Sequence, residues 1–358
     1  MKPLRLVLFG DGESPHLLKW ARALAPRVEL HVASSRRLAP ALAGLVARER
    51  TLALGQATKF EGGNAALLKT LPTLVRWLRR VDADWINAHY LTSHGTLAWL
   101  ARKAGVRAHL AASAWGSDIL VAPRDSRALR FVTSRVLRDA AVCTSDSRHM
   151  ADRMRELGAR EVMTFPFGLD ALPEAPGAKE PWLFFANRGL EDIYDPHRVI
   201  TLFAGIASEQ ADARLVVANS GSLSDALKQQ AATLGLADRI EFVGRLDAAT
   251  QSAQYARARW YVSVPRSDSV SVSVLEAMAH GCVPIVSDLP ANRELVNPGE
   301  NGLVVRNGQA ALTAAELAAL ANTEVIGRLN RAWVAEHALF EPCVDAFVAR
   351  LEQSTPSR

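Results

Sequence analysis

The sequence predicts an α/β protein built of two doubly wound, parallel-sheet domains, and three observations carry that expectation. The chain has 358 residues, short apolar runs alternate with helical patterns along it, and a Pro- and Gly-rich break interrupts the rhythm near its middle. That length exceeds what one core usually organises and suits two domains of roughly 150 residues each. Hydrophobic residues at 49% and charged residues at 22% exclude a disordered chain.

The first ten residues hold an apolar run of only about six, too short for the core of a secretory signal and without a cleavage pattern after it. Leu6–Phe9 therefore reads as a buried strand, and with a helix over Leu17–Leu24 and a strand at Glu29–Ala33 it makes one βαβ unit. Trp85–Ala88, Ala108–Ser113 and Ala141–Thr144 continue the series, each followed by a helix-like stretch. Around 166–181 the composition turns to Pro and Gly, continuing neither element type, which places the interdomain linker there. Strands at Trp182–Ala186, Arg214–Ala218, Ile240–Val243, Trp260–Val264 and Val283–Ser287 follow, with helices near Val199–Ala207, Ser224–Leu234 and Ser273–His280. No short-period repeat is present, which argues against solenoids and propellers. The tail, about 324–354, reads as helical. The expected domains are 1–168, 169–335 and a returning C-terminal helix at 336–358.

Lys plus Arg number 42 against 37 Asp plus Glu, a net charge of +5 that fits an anionic small ligand or an anionic membrane surface at least as well as nucleic acid. Cys143, Cys282 and Cys343 are widely spaced and show no metal-ligand pattern, so they are expected to be reduced thiols of a cytoplasmic protein. No window reaches the ~18 apolar residues of a membrane span, which leaves peripheral membrane contact.

Ligands of open parallel sheets bind beyond the carboxyl ends of the strands, which directs attention to three loops. In Gly10-Asp11-Gly12-Glu13-Ser14-Pro15-His16, two glycines permit a tight turn and close approach to a ligand, and Ser14-Pro15 suits a helix start. The third glycine of a dinucleotide fingerprint is missing, and a plain strand-to-helix turn accounts for the loop equally well. In Ser113-Ala114-Trp115-Gly116-Ser117-Asp118, Asp118 is a candidate acceptor for hydroxyl groups and Trp115 a wall for a sugar ring; a helix cap beside a buried Trp is the alternative. The third loop leads from a strand ending at Pro265 into a helix that carries Glu276. Amides at that helix start suit a diphosphate, and Asp268 and Glu276 are spaced to accept hydroxyls from two sugar rings.

At these residues the chain resembles the retaining glycosyltransferases of family 4. Asp268 and Glu276 match that family's Glu-x7-Glu pair, and Glu276-Ala277-Met278-Ala279-His280-Gly281-Cys282-Val283-Pro284 follows its pattern closely. Arg239–Arg245, Asp288–Val296, Asn301–Val305, Thr144–Ser147 and Phe165–Asp170 extend the similarity over most of the chain. The resemblance implies the GT-B fold: two Rossmann-like domains facing across a cleft, the C-terminal helix crossing back. It implies that Glu276 holds the donor ribose, that Asp268 faces donor-sugar hydroxyls, and that backbone at Ser271, Val272, Ser273 and Val274 faces the diphosphate. Gly244 and Arg245 fall near the nucleobase, and Gly12 joins the expected donor site. Arg188 matches a diphosphate-binding Arg, while Ile193-Tyr194 stands where a Lys is expected. Asp118 and Trp115 complete the expected catalytic set with Asp268 and Arg188, Trp115 occupying a place where many members have His.

The implied activity is a retaining hexosyl or N-acetylhexosaminyl transfer (EC 2.4) from a nucleotide sugar to a glycan or lipid-linked acceptor, in polysaccharide or lipopolysaccharide assembly. The nucleotide sugar is substrate, no cofactor is implied, and metal independence is expected. The departures at Asp268, Tyr194 and Trp115 also admit a catalytically weakened, nucleotide-sugar-binding homologue. An epimerase or phosphorylase lacks a candidate acid/base or cofactor lysine here, and no nucleic-acid module is recognisable. For the acceptor side, Leu67–Arg80 mixes apolar and basic residues at helical spacing, which suits either an anionic bilayer or a core helix with a solvated basic edge.

Overall fold

Leu6, Val7, Leu8 and Phe9 are completely buried in the first strand, β1 (Arg5–Gly10), of a computed structural model that describes residues 3–56, 65–175, 177–320 and 322–355. An uninterrupted apolar run is what a parallel strand covered on both faces requires. The chain divides into two units, Met1–Phe165 with Phe340–Arg358, and Pro166–Leu339.

In the first unit β1 lies between β2 (Glu29–Ser34) and β4 (Trp85–His89), with Phe9 opposite Ala33 and Ala88. β3 (Thr51–Ala53), β5 (His109–Ser113), β6 (Val142–Ser145) and β7 (Val162–Thr164) complete a parallel sheet in the order β3-β2-β1-β4-β5-β6-β7. Helices of two turns or more are numbered in chain order. α1 (Pro15–Leu24) starts where the Ser14 hydroxyl accepts from the His16 amide at 3.2 Å, with Pro15 in the first turn. It buries Leu17, Trp20, Ala21 and Leu24, one stripe of the helix.

α2 (Leu71–Val81) buries Leu74, Val75, Trp77 and Leu78 in the unit's own core and leaves Arg76, Arg79 and Arg80 exposed. Its apolar face is thus occupied, and only the basic edge is available to a bilayer. α3 (Thr96–Lys103), α4 (Arg127–Asp139) and α5 (Arg148–Glu156) lie in the connections between the later strands.

In the second unit β8 (Glu180–Ala186), β9 (Arg214–Ala218), β10 (Ile240–Gly244), β11 (Ala258–Ser263), β12 (Val283–Ser287) and β13 (Leu303–Val305) form a parallel sheet in the order β10-β9-β8-β11-β12-β13. α6 (Pro196–Glu209), α7 (Ser224–Thr233), α8 (Ala248–Arg257) and α9 (Val272–Ala279) connect successive strands, and α10 (Thr323–His337) follows. Both sheets reverse direction of strand order once, at β1/β4 and at β8/β11. Loops leaving the two strands there diverge to opposite faces and open a crevice at their carboxyl ends.

The tail, read as helical over about 324–354, is two helices. α10 stops at His337, and α11 (Phe340–Gln353) belongs to the first unit. At the break the Ala338 carbonyl accepts from the Leu169 amide at 2.8 Å. A Cβ on Gly168 would lie 1.8 Å from that carbonyl oxygen, so only glycine fits where these two connecting segments run side by side.

Candidate functional site

Two loops flank the β8/β11 reversal: Asn187-Arg188-Gly189 after β8, and Val264–Ser271 between β11 and α9. Arg188 Nη2 lies 2.8 Å from Asp268 Oδ2, and these side chains are 19% and 20% exposed. Nη1 donates to the hydroxyl of Ser271 and, at 3.3 Å, to that of Ser273. Burial opposes the Arg188 charge, but Asp268, Tyr261 and Tyr194 outweigh it and raise its pKa. For Asp268 burial wins: the carboxyl is pushed up despite Arg188 and the Ser269 amide.

The Tyr194 ring sits 4.4 Å from the Arg188 guanidinium and packs within 3.2 Å of where a Gly189 Cβ would be. Its short turn is anchored by the Arg266 amide on the Ile193 carbonyl at 2.9 Å and by Arg266 on Asp192 at 2.7 Å. Tyr194, which stands in place of an expected Lys, thus holds the one matched cation from beneath. A cation–π contact away from bulk water contributes about 1–2 kcal/mol. Tyr194→Ala is therefore expected to lower turnover by about 5- to 30-fold, and Tyr194→Phe, which keeps the ring face, to stay near wild type. Equal losses in both variants would show that the ring face is not what matters.

The Ser271 side chain does not cap α9; it meets Arg188 and, at 2.8 Å, Ser273 Oγ. The expected backbone cradle is narrower than 271–274. Val274's amide donates to the Ser271 carbonyl at 3.1 Å and its side chain is buried, which leaves the amides of Val272 and Ser273 outside the helix's own ladder. One turn on, Glu276 Oε2 accepts from Tyr255 Oη at 3.0 Å and from Gln251 Nε2 at 3.3 Å. Tyr255 Oη in turn accepts from Asn187 Nδ2 at 2.8 Å, and Asn187 Oδ1 accepts from Tyr261 Oη at 2.7 Å. Burial raises the pKa of both tyrosines, keeping them protonated donors. Asn187, Tyr255 and Tyr261 carry no motif of their own; in sequence the tyrosines read as core aromatics, and only the fold connects them to Glu276.

Gly244 has φ +70°, and its carbonyl accepts from the Asn219 amide at 2.5 Å. Exposed Arg245 donates to Ser220 Oγ at 3.0 Å, so the loops after β9 and β10 are joined beside the same sheet end.

In the first unit the predicted residues divide. Trp115 is half-buried, its ring 4.5 Å from that of His16 and 5.5 Å from that of His89. Asp118 does not reach a ligand surface: it is fully buried, and its two oxygens accept from the Leu91 amide at 2.8 Å and the Trp115 amide at 3.0 Å. It positions the Trp115 loop instead of receiving hydroxyls. Gly12 likewise turns inward, its amide donating to Ser34 Oγ at 2.8 Å, and a Cβ there would lie 2.6 Å from that oxygen. The need for glycine here comes from packing on the end of β2. Among the described residues no group of three or more His, Cys, Asp or Glu could hold a metal ion.

His89 and His94 lie beneath this loop, and burial lowers their pKa to about 3 and about 4. Unfolded, each takes up a proton near pH ~6.5. Below that pH the unfolded chain binds more protons, so stability falls as pH drops toward the folded values. Asp118, raised to about 6 by burial, acts in the opposite sense between about pH 4 and 6, one group against two. The melting temperature is expected to fall from pH 7 to pH 5, and a level profile over that interval would contradict neutral burial.

Residues 172–336 match the family described as glycosyl transferases group 1, and residues 5–147 match glycosyl transferase 4-like, one match in each unit. The chain is 26% identical over 329 residues to a phosphatidyl-myo-inositol mannosyltransferase of Mycobacterium leprae, covering 88% of this chain and 85% of that one. An alpha-monoglucosyldiacylglycerol synthase of Streptococcus pneumoniae is 29% identical over 125 residues, 35% of this chain and 28% of that one. Among solved structures, Anabaena Alr3699/HepE in complex with UDP and glucose shares the fold, with a TM-score of 0.76, 16% identity, and coverage of 98% of this chain and 100% of that one. With two Rossmann-like sheets and a family match in each, the chain is a GT-B-fold glycosyltransferase related to the glycosyl transferases group 1.

Proposed function

We propose that this glycosyltransferase takes its sugar from a UDP-sugar bound to the second unit, and passes it with retained anomeric configuration to a lipid or lipid-linked acceptor received by the first. The observation that carries the reading is the convergence, at the β8/β11 reversal, of Arg188, the start of α9 and two carboxylates, Asp268 in the loop before the helix and Glu276 about one turn into it. A diphosphate is favoured where helix amides and a guanidinium point together. Glu276, held by Tyr255 and Gln251, accepts the ribose hydroxyls, and Asp268 meets the sugar. The solved relative complexed with UDP and glucose supports the base, and the two relatives whose names carry phosphatidyl-myo-inositol and diacylglycerol support the lipid acceptor.

In the transfer the bond from the anomeric carbon to the diphosphate oxygen breaks, and the departing diphosphate keeps the electron pair. A new bond forms to the acceptor oxygen, whose proton passes to the leaving phosphate. Arg188 and the Val272 and Ser273 amides stabilise the charge that develops on that phosphate. The setting is cytoplasmic, with contact to the membrane made peripherally. No helix among the described residues is long and apolar enough to cross a membrane, and the exposed basic edge of α2 suits anionic lipid headgroups.

A ligand that binds only the folded state raises its apparent stability. In a thermal-shift panel of UDP, GDP and dTDP, UDP is expected to give the largest shift, and Glu276→Ala to remove it. A larger shift with GDP or dTDP would reassign the base. No shift with any of the three would leave a homologue without a nucleotide site.

A further inference from the structure

A second cluster of charge lies in the first unit, at the amino ends of β6 and β7 and so at the opposite edge of the sheet from the loops described above. A cavity of 440 Å³ opens there, lined by Arg102, Lys103, Arg138, Asp139, Arg160 and the backbone of 140–141. The volume falls in the range of small-molecule sites. Its single carboxylate is already engaged: Asp139 accepts from Lys103 Nζ at 2.6 Å and from Trp99 Nε1 at 2.7 Å. Arg102 gives one nitrogen to the Asp139 carbonyl at 3.1 Å, while its buried Nε has no partner. Arg138 and Arg160 make no hydrogen bond or ion pair among the described residues.

The negative ends of α3 and α4 favour cations nearby, which accounts for Arg102, Lys103 and Arg138 one at a time. It does not account for Arg160, which belongs to neither helix and enters from the connection between α5 and β7. Arg138 is brought toward the same connection because its chain lies across Gly158, where a Cβ would come within 2.7 Å of it. Four like charges converging on a concave surface with one occupied carboxylate repel one another unless an anion joins them. Along the outer face of α4 the basic surface continues through Arg135, stacked 4.9 Å from the ring of Phe131, which is 58% exposed.

We propose that this cavity binds a compact, multiply charged phosphate group, a diphosphate or phosphomonoester, carried either by a free solute or by a lipid headgroup. The site is separate from the donor site in residues and in sheet edge. Pyrophosphate is the probe for the soluble source, titrated calorimetrically into wild type, Arg188→Ala and Arg138→Gln/Arg160→Gln. Loss of charge-assisted hydrogen bonds from one arginine is expected to weaken binding about tenfold or more. The expected result is a pyrophosphate site that persists in Arg188→Ala, is lost in the double variant, and leaves the wild-type UDP thermal shift intact in that variant. The lipid source is read from vesicles with and without phosphatidic acid. Sedimentation that depends on phosphatidic acid and is lost in the double variant assigns the headgroup, and pyrophosphate binding without sedimentation assigns the solute. Pyrophosphate binding and sedimentation both unchanged in the double variant, or absent from wild type, would overturn the proposal.

Discussion

Arg188→Ala is expected to lower turnover about 10²- to 10³-fold, the loss that follows removal of one preorganised group stabilising transition-state charge. The reason is local. In the loop after β8, Arg188 reaches the serines at the start of α9, Arg266 is paired with Asp192 and Asp195, and the neighbouring position expected to supply a Lys is Tyr194, which adds no charge. Because the negative charge on the phosphate grows as the bond to the sugar breaks, the effect should fall on kcat more than on KM. Asp268 loses its ion-pair partner in the same variant, so Arg188→Lys is the informative companion: it keeps a charge beside Asp268 and loses the forked contact to both serines. Steady-state rates with UDP-sugar will decide; turnover of Arg188→Ala within threefold of wild type would remove Arg188 from the chemistry.

The largest loss of stability is expected at Trp20. Its side chain is completely buried, with its ring 5.1 Å from Phe340, 5.3 Å from Phe347 and 5.2 Å from His89. Trp20→Ala leaves a cavity where α1 meets α11, and truncations of this kind cost about 3–5 kcal/mol. That is a large fraction of the ~5–15 kcal/mol that holds a typical domain folded. The returning helix should be released first, because Phe340 and Phe347 lose the ring they pack against, and its ion pairs Arg27–Asp345, Arg27–Glu341 and Arg350–Glu161 lie at the surface, where such pairs contribute little. Limited proteolysis should therefore cleave the variant in the 338–353 region well below the melting temperature of wild type. Wild-type protection of that segment in Trp20→Ala would show that the aromatic cluster does not hold it.

The strands that lie deepest were legible because burial on both faces demands mostly apolar runs: Leu6–Phe9, Trp85–Ala88, Arg214–Ala218 and Val283–Ser287, interrupted or ended only by Asn87, Arg214 and Ser287, each correspond to an observed strand. β3, β7 and β13 have three residues each and sit at or next to sheet edges, too short for a periodic signal and placed by the strand beside them. The π-helical turn Tyr90–Gly95, with Tyr90 at φ +69°, also has no local signature. Asp118 shows how the same residue type can be misread: a Ser-Asp pair after a strand suits ligand or cap, and burial decides for the backbone amides of Leu91 and Trp115.

By itself the amino-acid sequence determined the two α/β halves and the Asp268–Glu276 spacing, because each depends on residues near one another along the chain. Tertiary structure decided the rest. Arg188 and Asp268 are eighty positions apart and meet only because β8 and β11 are neighbours in the sheet. The Tyr261–Asn187–Tyr255–Glu276 chain and the cluster of Arg102, Arg138 and Arg160 likewise join groups from separate elements. Periodicity records which face of an element is buried, while partners across a sheet are set by strand order, which no local pattern encodes.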